Sequence, residues 1–136
     1  MLNLEPWAKR LEGAAPCPVE IAADVQEALT SRASAAVLLV PMRENVTHSE
    51  LSDGARHRIR AEVGLITSVS RSKRRFSGAS RDQLNALRQP LLQELINWMP
   101  PASDIEVRWQ SGELLNMDAQ SLFWVDVLTT EYWWTS

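Results

Sequence analysis

The sequence predicts an α/β protein of the α+β kind, with a mostly antiparallel four-stranded sheet and helices packed on one face. Three observations carry this reading. Residues 56–69 alternate between apolar and polar positions, the period of a strand with one buried face. Ala35-Ala36-Val37-Leu38-Leu39-Val40 is an apolar run closed by Pro41, which reads as a buried strand. Leu84, Leu87, Leu91, Leu95 and Trp98 recur at helical spacing and make a core stripe.

Taken in order, Leu4, Trp7, Ala8 and Leu11 have helical spacing, and Gly13 followed by Pro16 stops it, so a helix is expected over about 3–12. Pro6 suits a first turn, where its missing N–H costs little. Pro16-Cys17-Pro18 holds the chain extended. Ile21, Val25, Ala28 and Leu29 then follow i, i+4, i+7, i+8, which predicts a short helix ending near Ser31. After the strand at 35–40, residues 42–55 are polar and read as a long loop, a kind often functional.

The next strand places His57, Ile59, Ala61, Val63, Leu65, Thr67 and Val69 on one face. Arg56, Arg58, Arg60, Glu62, Gly64, Ile66 and Ser68 lie on the other, charged at first and more neutral beyond Glu62. A basic loop at 71–79 precedes Ser80 and Gln83, a capping-box pair at the start of the leucine-striped helix. Pro90 is expected to kink or break that helix near Gln89, and Pro100-Pro101 to end it. Ile105, Val107 and Trp109 alternate with Glu106 and Arg108, and Asp118-Ala119-Gln120 reads as a turn. The last strand, Leu122 to Trp134, points Phe123, Val125 and Val127 one way and Leu122, Trp124, Leu128, Tyr132 and Trp134 the other, with Asp126 among the second set.

The 136 residues suit one domain over 1–136. No apolar run approaches the roughly 20 residues of a membrane helix, so no membrane partner is expected. The first residues lack a basic segment followed by an apolar block, so no secretory signal is expected. Cys17 is the single cysteine, which excludes an intrachain disulfide and fits a reducing compartment.

No pattern points to catalysis. Cys17, His48 and His57 have no metal-ligand spacing, so no metal site is expected, and His57 reads as a packed or edge histidine. Ser77-Gly78-Ala79-Ser80 reads as a plain helix start, and no glycine-rich phosphate loop or cofactor motif occurs. Carboxylates such as Glu113, Asp118 and Asp126 read as solvated surface charges. Neither catalytic residues nor cofactors are expected.

Charge is more informative. Residues 56–81 hold eight Lys or Arg against Glu62 alone, and residues 104–136 hold six acids against Arg108 alone. Such a chain can pair head to tail with copies of itself, a contact that closes into a ring if the rotation allows; neutralisation within one subunit is the plain alternative. Of the six tryptophans, Trp98, Trp109 and Trp124 read as core, whereas Trp133 and Trp134 at the end of the chain read as contact residues. The candidate interface residues are therefore Arg56, Arg58, Arg60, Arg71, Lys73, Arg74, Arg75, Trp133 and Trp134.

The order of these blocks resembles the tail terminator (tail-completion) proteins of long-tailed phages, of the Mu-like and prophage type. The blocks are Val19-Glu20-Ile21-Ala22-Ala23-Asp24, then Ala35 to Pro41, then Arg58-Ile59-Arg60-Ala61-Glu62-Val63-Gly64-Leu65. Leu84-Asn85-Ala86-Leu87-Arg88 and Leu95-Ile96-Asn97-Trp98 follow. Gly112-Glu113-Leu114-Leu115, Phe123-Trp124-Val125-Asp126 and Tyr132-Trp133 complete the set. Pro90 and the arginine-rich 71–81 depart from the family pattern.

The resemblance implies a virion tail component without enzymatic activity, assembled in the bacterial host cytoplasm. It implies a homo-oligomeric ring, commonly a hexamer, that caps the tail tube, stops its polymerisation and offers a docking surface to the head. The implied partners are the tail tube protein and a head-completion or connector protein, with DNA only passing through the channel. Alternative readings are another head–tail connector or minor tail protein, or a nucleic-acid-binding module using loop 71–81.

Overall fold

The computed structural model describes residues 1–30, 35–52, 54–70, 79–117 and 121–135. In chain order they form α1 (Glu5–Leu11), β1 (Val19–Ile21), α2 (Val25–Leu29), β2 (Ala35–Glu50), β3 (Arg56–Ser70), α3 (Ala79–Leu95), β4 (Arg108–Met117) and β5 (Ser121–Thr135). The strands make one sheet in the order β1-β2-β3-β5-β4. β1 runs parallel to β2, and the other three pairs are antiparallel. The α+β class and the mostly antiparallel sheet are as expected, with a fifth strand added.

That fifth strand is β1. Val19–Ile21 pairs with Val37–Leu39, so Ile21, expected to open the helix, ends a strand instead. The helix starts later because Asp24 caps it: its Oδ1 accepts from the Glu27 N–H at 2.8 Å, while Glu27 Oε2 accepts from the Ala23 N–H at 2.8 Å. These reciprocal bonds satisfy amides that a helix start otherwise leaves open.

The expected loop at 42–55 is largely strand. β2 continues through Pro41 to Glu50, paired with β3 throughout. Proline is tolerated there because β1 covers only Val37–Leu39, so the outer edge beyond carries no ladder for Pro41 to interrupt. Register shifts at Pro41/Arg43 and Val46/His48 break the alternation that would have marked a strand. Gly54, at φ +105°, supplies the left-handed backbone between β2 and β3.

β4 carries two further shifts, at Trp109/Ser111 and Leu114/Asn116. By contrast, β3 and β5 pair without interruption from Arg56↔Thr135 to Ser70↔Ser121. The bulged strands are the two long ones with an open outer edge. Bulges there break up a row of unpaired N–H and C=O groups that would otherwise template uncontrolled strand addition.

Two cores flank the sheet. On one face Trp7 and Leu11 of α1 and Leu84, Leu91 and Leu95 of α3 pack on Val37, Leu39, Val63, Leu65 and Leu128. On the other face Ala28 of α2, with Val25 and Leu29, packs over Leu38, Val40, Ile66, Phe123 and Val125. α1 and α3 thus share a face as expected, while the short α2 lies on the opposite one. This explains why Ile66 and Ser68, on the nominally polar face of β3, are buried.

α3 runs unbroken through Pro90, so the expected break does not occur. It ends at Leu95, before the proline pair, because Asn97 turns left-handed at φ 69° and donates its N–H to the Val107 carbonyl. The expected capping box at Ser80–Gln83, the turn at 118–120 and the basic loop through 78 rest on residues or side chains outside the described set.

Candidate interaction surface

Below Val63 the helices no longer cover the sheet. Ile59, Ala61 and Tyr132 form a small separate core whose further apolar neighbour is Leu2. The lower halves of β2, β3 and β5 therefore form a three-stranded ribbon, apolar on one face and charged on the other. Register explains the segregation. Ile59 lies opposite Val46 and Tyr132, whereas Arg58 lies opposite His48 and Trp133.

On the charged face the three predicted arginines stand in a row, each with a partner in its own chain. The Arg56 guanidinium sits 3.9 Å above the Trp133 ring centre and 3.7 Å from Glu50. Arg58 donates its Nε–H to Glu131 at 2.7 Å and an Nη–H to Asp104, and also lies over Trp133 at 5.5 Å. The hydrogen bond to Glu131, more than any other influence, holds the Arg58 guanidinium protonated beyond its usual range. Arg60 donates to Gln110, whose amide donates on to Glu62 at 3.2 Å. Part of the basic stretch is thus neutralised by acids of the same subunit. Arg71, Lys73, Arg74 and Arg75 lie outside the described residues.

Trp133 is half-buried under Arg56, with His48 edge-on at 6.2 Å. Trp134 is on the opposite face, 49% exposed, and stacks on His57 at 5.6 Å. His57 in turn shares a 2.8 Å hydrogen bond with Ser49. Both histidines thus sit at the ribbon's tip against terminal tryptophans. Further in, the Tyr132 hydroxyl donates to Glu44 at 2.9 Å, and burial together with this carboxylate pushes the phenol up to about 12.

A second polar cluster was not foreseen. Asp126 is fully buried, not a solvated surface charge. Arg88 of α3 grips it with two bonds, Nε at 3.0 Å and Nη2 at 2.6 Å. The indole N–H groups of Trp109 and Trp124 both donate to its Oδ1 at 3.2 Å. Gly112 makes the space: a Cβ there would stand 2.7 Å from Asp126 Oδ1. The cluster ties α3 to β4 and β5, and a buried carboxylate with this many donors is fully satisfied. The signal available in the sequence was an aspartate inside an otherwise apolar strand, matched by an arginine on the leucine stripe of α3. Trp109, expected in the core, is instead 50% exposed.

No group of three or more potential metal ligands occurs among the described residues. No described helix is long and apolar enough to cross a membrane. Cys17 is part-buried, and that burial pushes its thiol up, away from the reactive thiolate. What the described residues offer is contact surface: a charged ladder braced by tryptophan, an aromatic tip and a sheet with two open, bulged edges.

The fold is that of a small α+β protein whose described surface presents a charged ladder and an aromatic tip. Residues 1–135 match the family described as phage tail terminator protein, and the chain belongs to that family. It is accordingly a structural component of the phage tail with a tail-terminator role, acting in association with other tail or head proteins. No curated protein matches the chain.

Proposed function

We propose that this protein caps the end of the tail tube as a ring of identical subunits, with six as the expected number. The cap stops tube polymerisation and presents a docking surface to the head-completion or connector protein. The end-to-end family match is the observation that carries this reading. The ribbon supports it: Arg56, Arg58 and Arg60 are fixed by partners within the subunit, so the charged face is a preorganised surface that loses little freedom on docking. That face, which carries Trp133, together with Trp134 on the opposite face of the ribbon's tip, is the part that meets the tube or a neighbouring subunit. Arg71, Lys73, Arg74 and Arg75 extend the basic character toward the tube or the channel through which DNA passes. Assembly takes place in the host cytoplasm, and the Mu-like or prophage tail type is the setting the sequence blocks favour.

Light-scattering mass of the purified protein across concentration and salt tests the ring. A discrete species near six subunits that dissociates as salt rises is expected, since part of the contact is ionic. A salt-insensitive monomer at every concentration contradicts the ring in solution. Alanine at Lys73, Arg74 and Arg75 tests the nucleic-acid alternative. Loss of DNA retention with the mass unchanged would favour that alternative over the cap.

A further inference from the structure

We infer that neighbouring copies join side to side through opposite edges of the sheet, the outer edge of β2 on one copy meeting the α3–β4 edge of the next. This rests on the ring reading and names its contact. Three observations converge on it.

First, each of these two edges carries exposed large apolar side chains among the described residues. Val46 is 60% exposed on β2 and Leu51 75% exposed just beyond it, while Trp109 and Leu114 are 50% and 48% exposed on β4. Trp109 forms one wall of an open groove of about 570 Å³ between α3 and β4. β2 and β4 lie on opposite sides of the central β3–β5 pair. A patch and a groove on opposite sides of one subunit make a head-to-tail contact, the kind that builds rings.

Second, the two edges match face by face. Val46 pairs with Ile59 and Leu114 with Trp124, which places both apolar residues on the sheet face that carries α1 and α3. Arg43 pairs with Glu62 and Glu113 with Val125, which places both charges on the other face. Arg43 and Glu113 are both exposed, and neither side chain has an ion pair or hydrogen bond to a described residue. Setting the edges side by side with the faces aligned brings apolar to apolar on one face and cation to anion on the other.

Third, each edge carries two register shifts. Continuous backbone pairing across the contact is therefore blocked, and side chains must make it. This limits the contact to a partner with the complementary side-chain pattern, which a second copy has. The arginine ladder, already paired within its own subunit, is left to face the tube.

Charge reversal tests the contact on exposed residues that the fold does not use. Arg43→Glu and Glu113→Arg are each expected to weaken self-association about tenfold or more by placing like charges together. The double variant R43E/E113R restores it, because the pair is re-formed with its signs exchanged. Independently, in a Cys17→Ser background, Val46→Cys with Leu114→Cys in one chain gives a ladder of multimers with a short bismaleimide. Either single cysteine variant alone gives none, and a mixture of the two gives dimers. A ring mass that neither reversal changes, with no cross-linked ladder, overturns this contact while the ring itself stands. Cross-linking of a single cysteine variant to itself overturns the head-to-tail arrangement. A monomeric mass for the unmodified chain overturns both the contact and the ring.

Discussion

The upper and lower halves of the sheet are held by different forces. Above Val63, strands β2, β3 and β5 are buried on both faces, by α1 and α3 on one and by α2 on the other. Below it, the same strands continue as a ribbon whose order comes from directional groups: arginine over tryptophan, arginine to carboxylate, tyrosine to carboxylate. Apolar burial has no charges to screen or titrate, whereas the ribbon's contacts respond to both ionic screening and pH.

The largest effect belongs where the two kinds of force meet. Asp126→Ala leaves the Arg88 guanidinium buried without its partner, and a loss of about 3–5 kcal/mol is expected in chemical denaturation. Replacing both by apolar residues, Arg88→Met with Asp126→Leu, is expected to recover much of that loss. A double variant as unstable as the single would show that the cluster does more than satisfy its own charges. Leu65→Ala, in the upper core, is expected to cost about 2–5 kcal/mol, with no part of the loss due to charge screening.

Gly112→Ala is smaller, about 1–3 kcal/mol, since the new methyl must displace the Asp126 carboxylate. Its signature is altered tryptophan fluorescence, because both indoles that donate to Asp126 must shift.

Tyr132 sharpens the contrast through pH. Its folded-state phenol titrates at about 12, above the roughly 10 of an unfolded chain. The unfolded state therefore loses this proton first as pH rises. The stabilisation is fully present below about pH 10 and is lost through pH 12, amounting to about 3 kcal/mol. Tyr132→Phe should remove that component of the slope, measured as denaturation midpoint against pH; an unchanged slope would place its origin elsewhere. The smallest effect is expected from Arg58→Ala. Its ion pairs are only partly shielded from solvent, so the loss of stability should be slight and should fade in high salt, while docking suffers more than folding.

How much of this was legible follows from the physics of each segment. β3 shows itself because fourteen residues keep strict alternation, and α3 because its leucines keep one stripe. The lower half of β2 is hidden: two bulges shift its phase, and its residues are polar on a face where partners across the sheet, not burial, hold them. β1 is three residues long, too short for any period to register. The ribbon arginines were visible as a charged row, but their partners Glu131, Asp104 and Gln110 are brought in by pairing across 46 residues or more. Asp126 and Arg88 lie 38 residues apart, and only the packing of α3 across β5 makes them a pair. Trp133 and Trp134 lie on opposite faces, as neighbouring strand residues must, Trp133 pairing with Arg58 and Trp134 with His57.

The most direct test of the account is tube growth. The tail tube protein of the same phage, polymerising alone, should form tubes of uncontrolled length by electron microscopy. Adding this protein during growth is expected to shorten the tubes in proportion to its concentration and to leave a terminal density at one end only. Tubes of unchanged length, with no density at either end, would contradict the proposal that this protein terminates the tail by capping it.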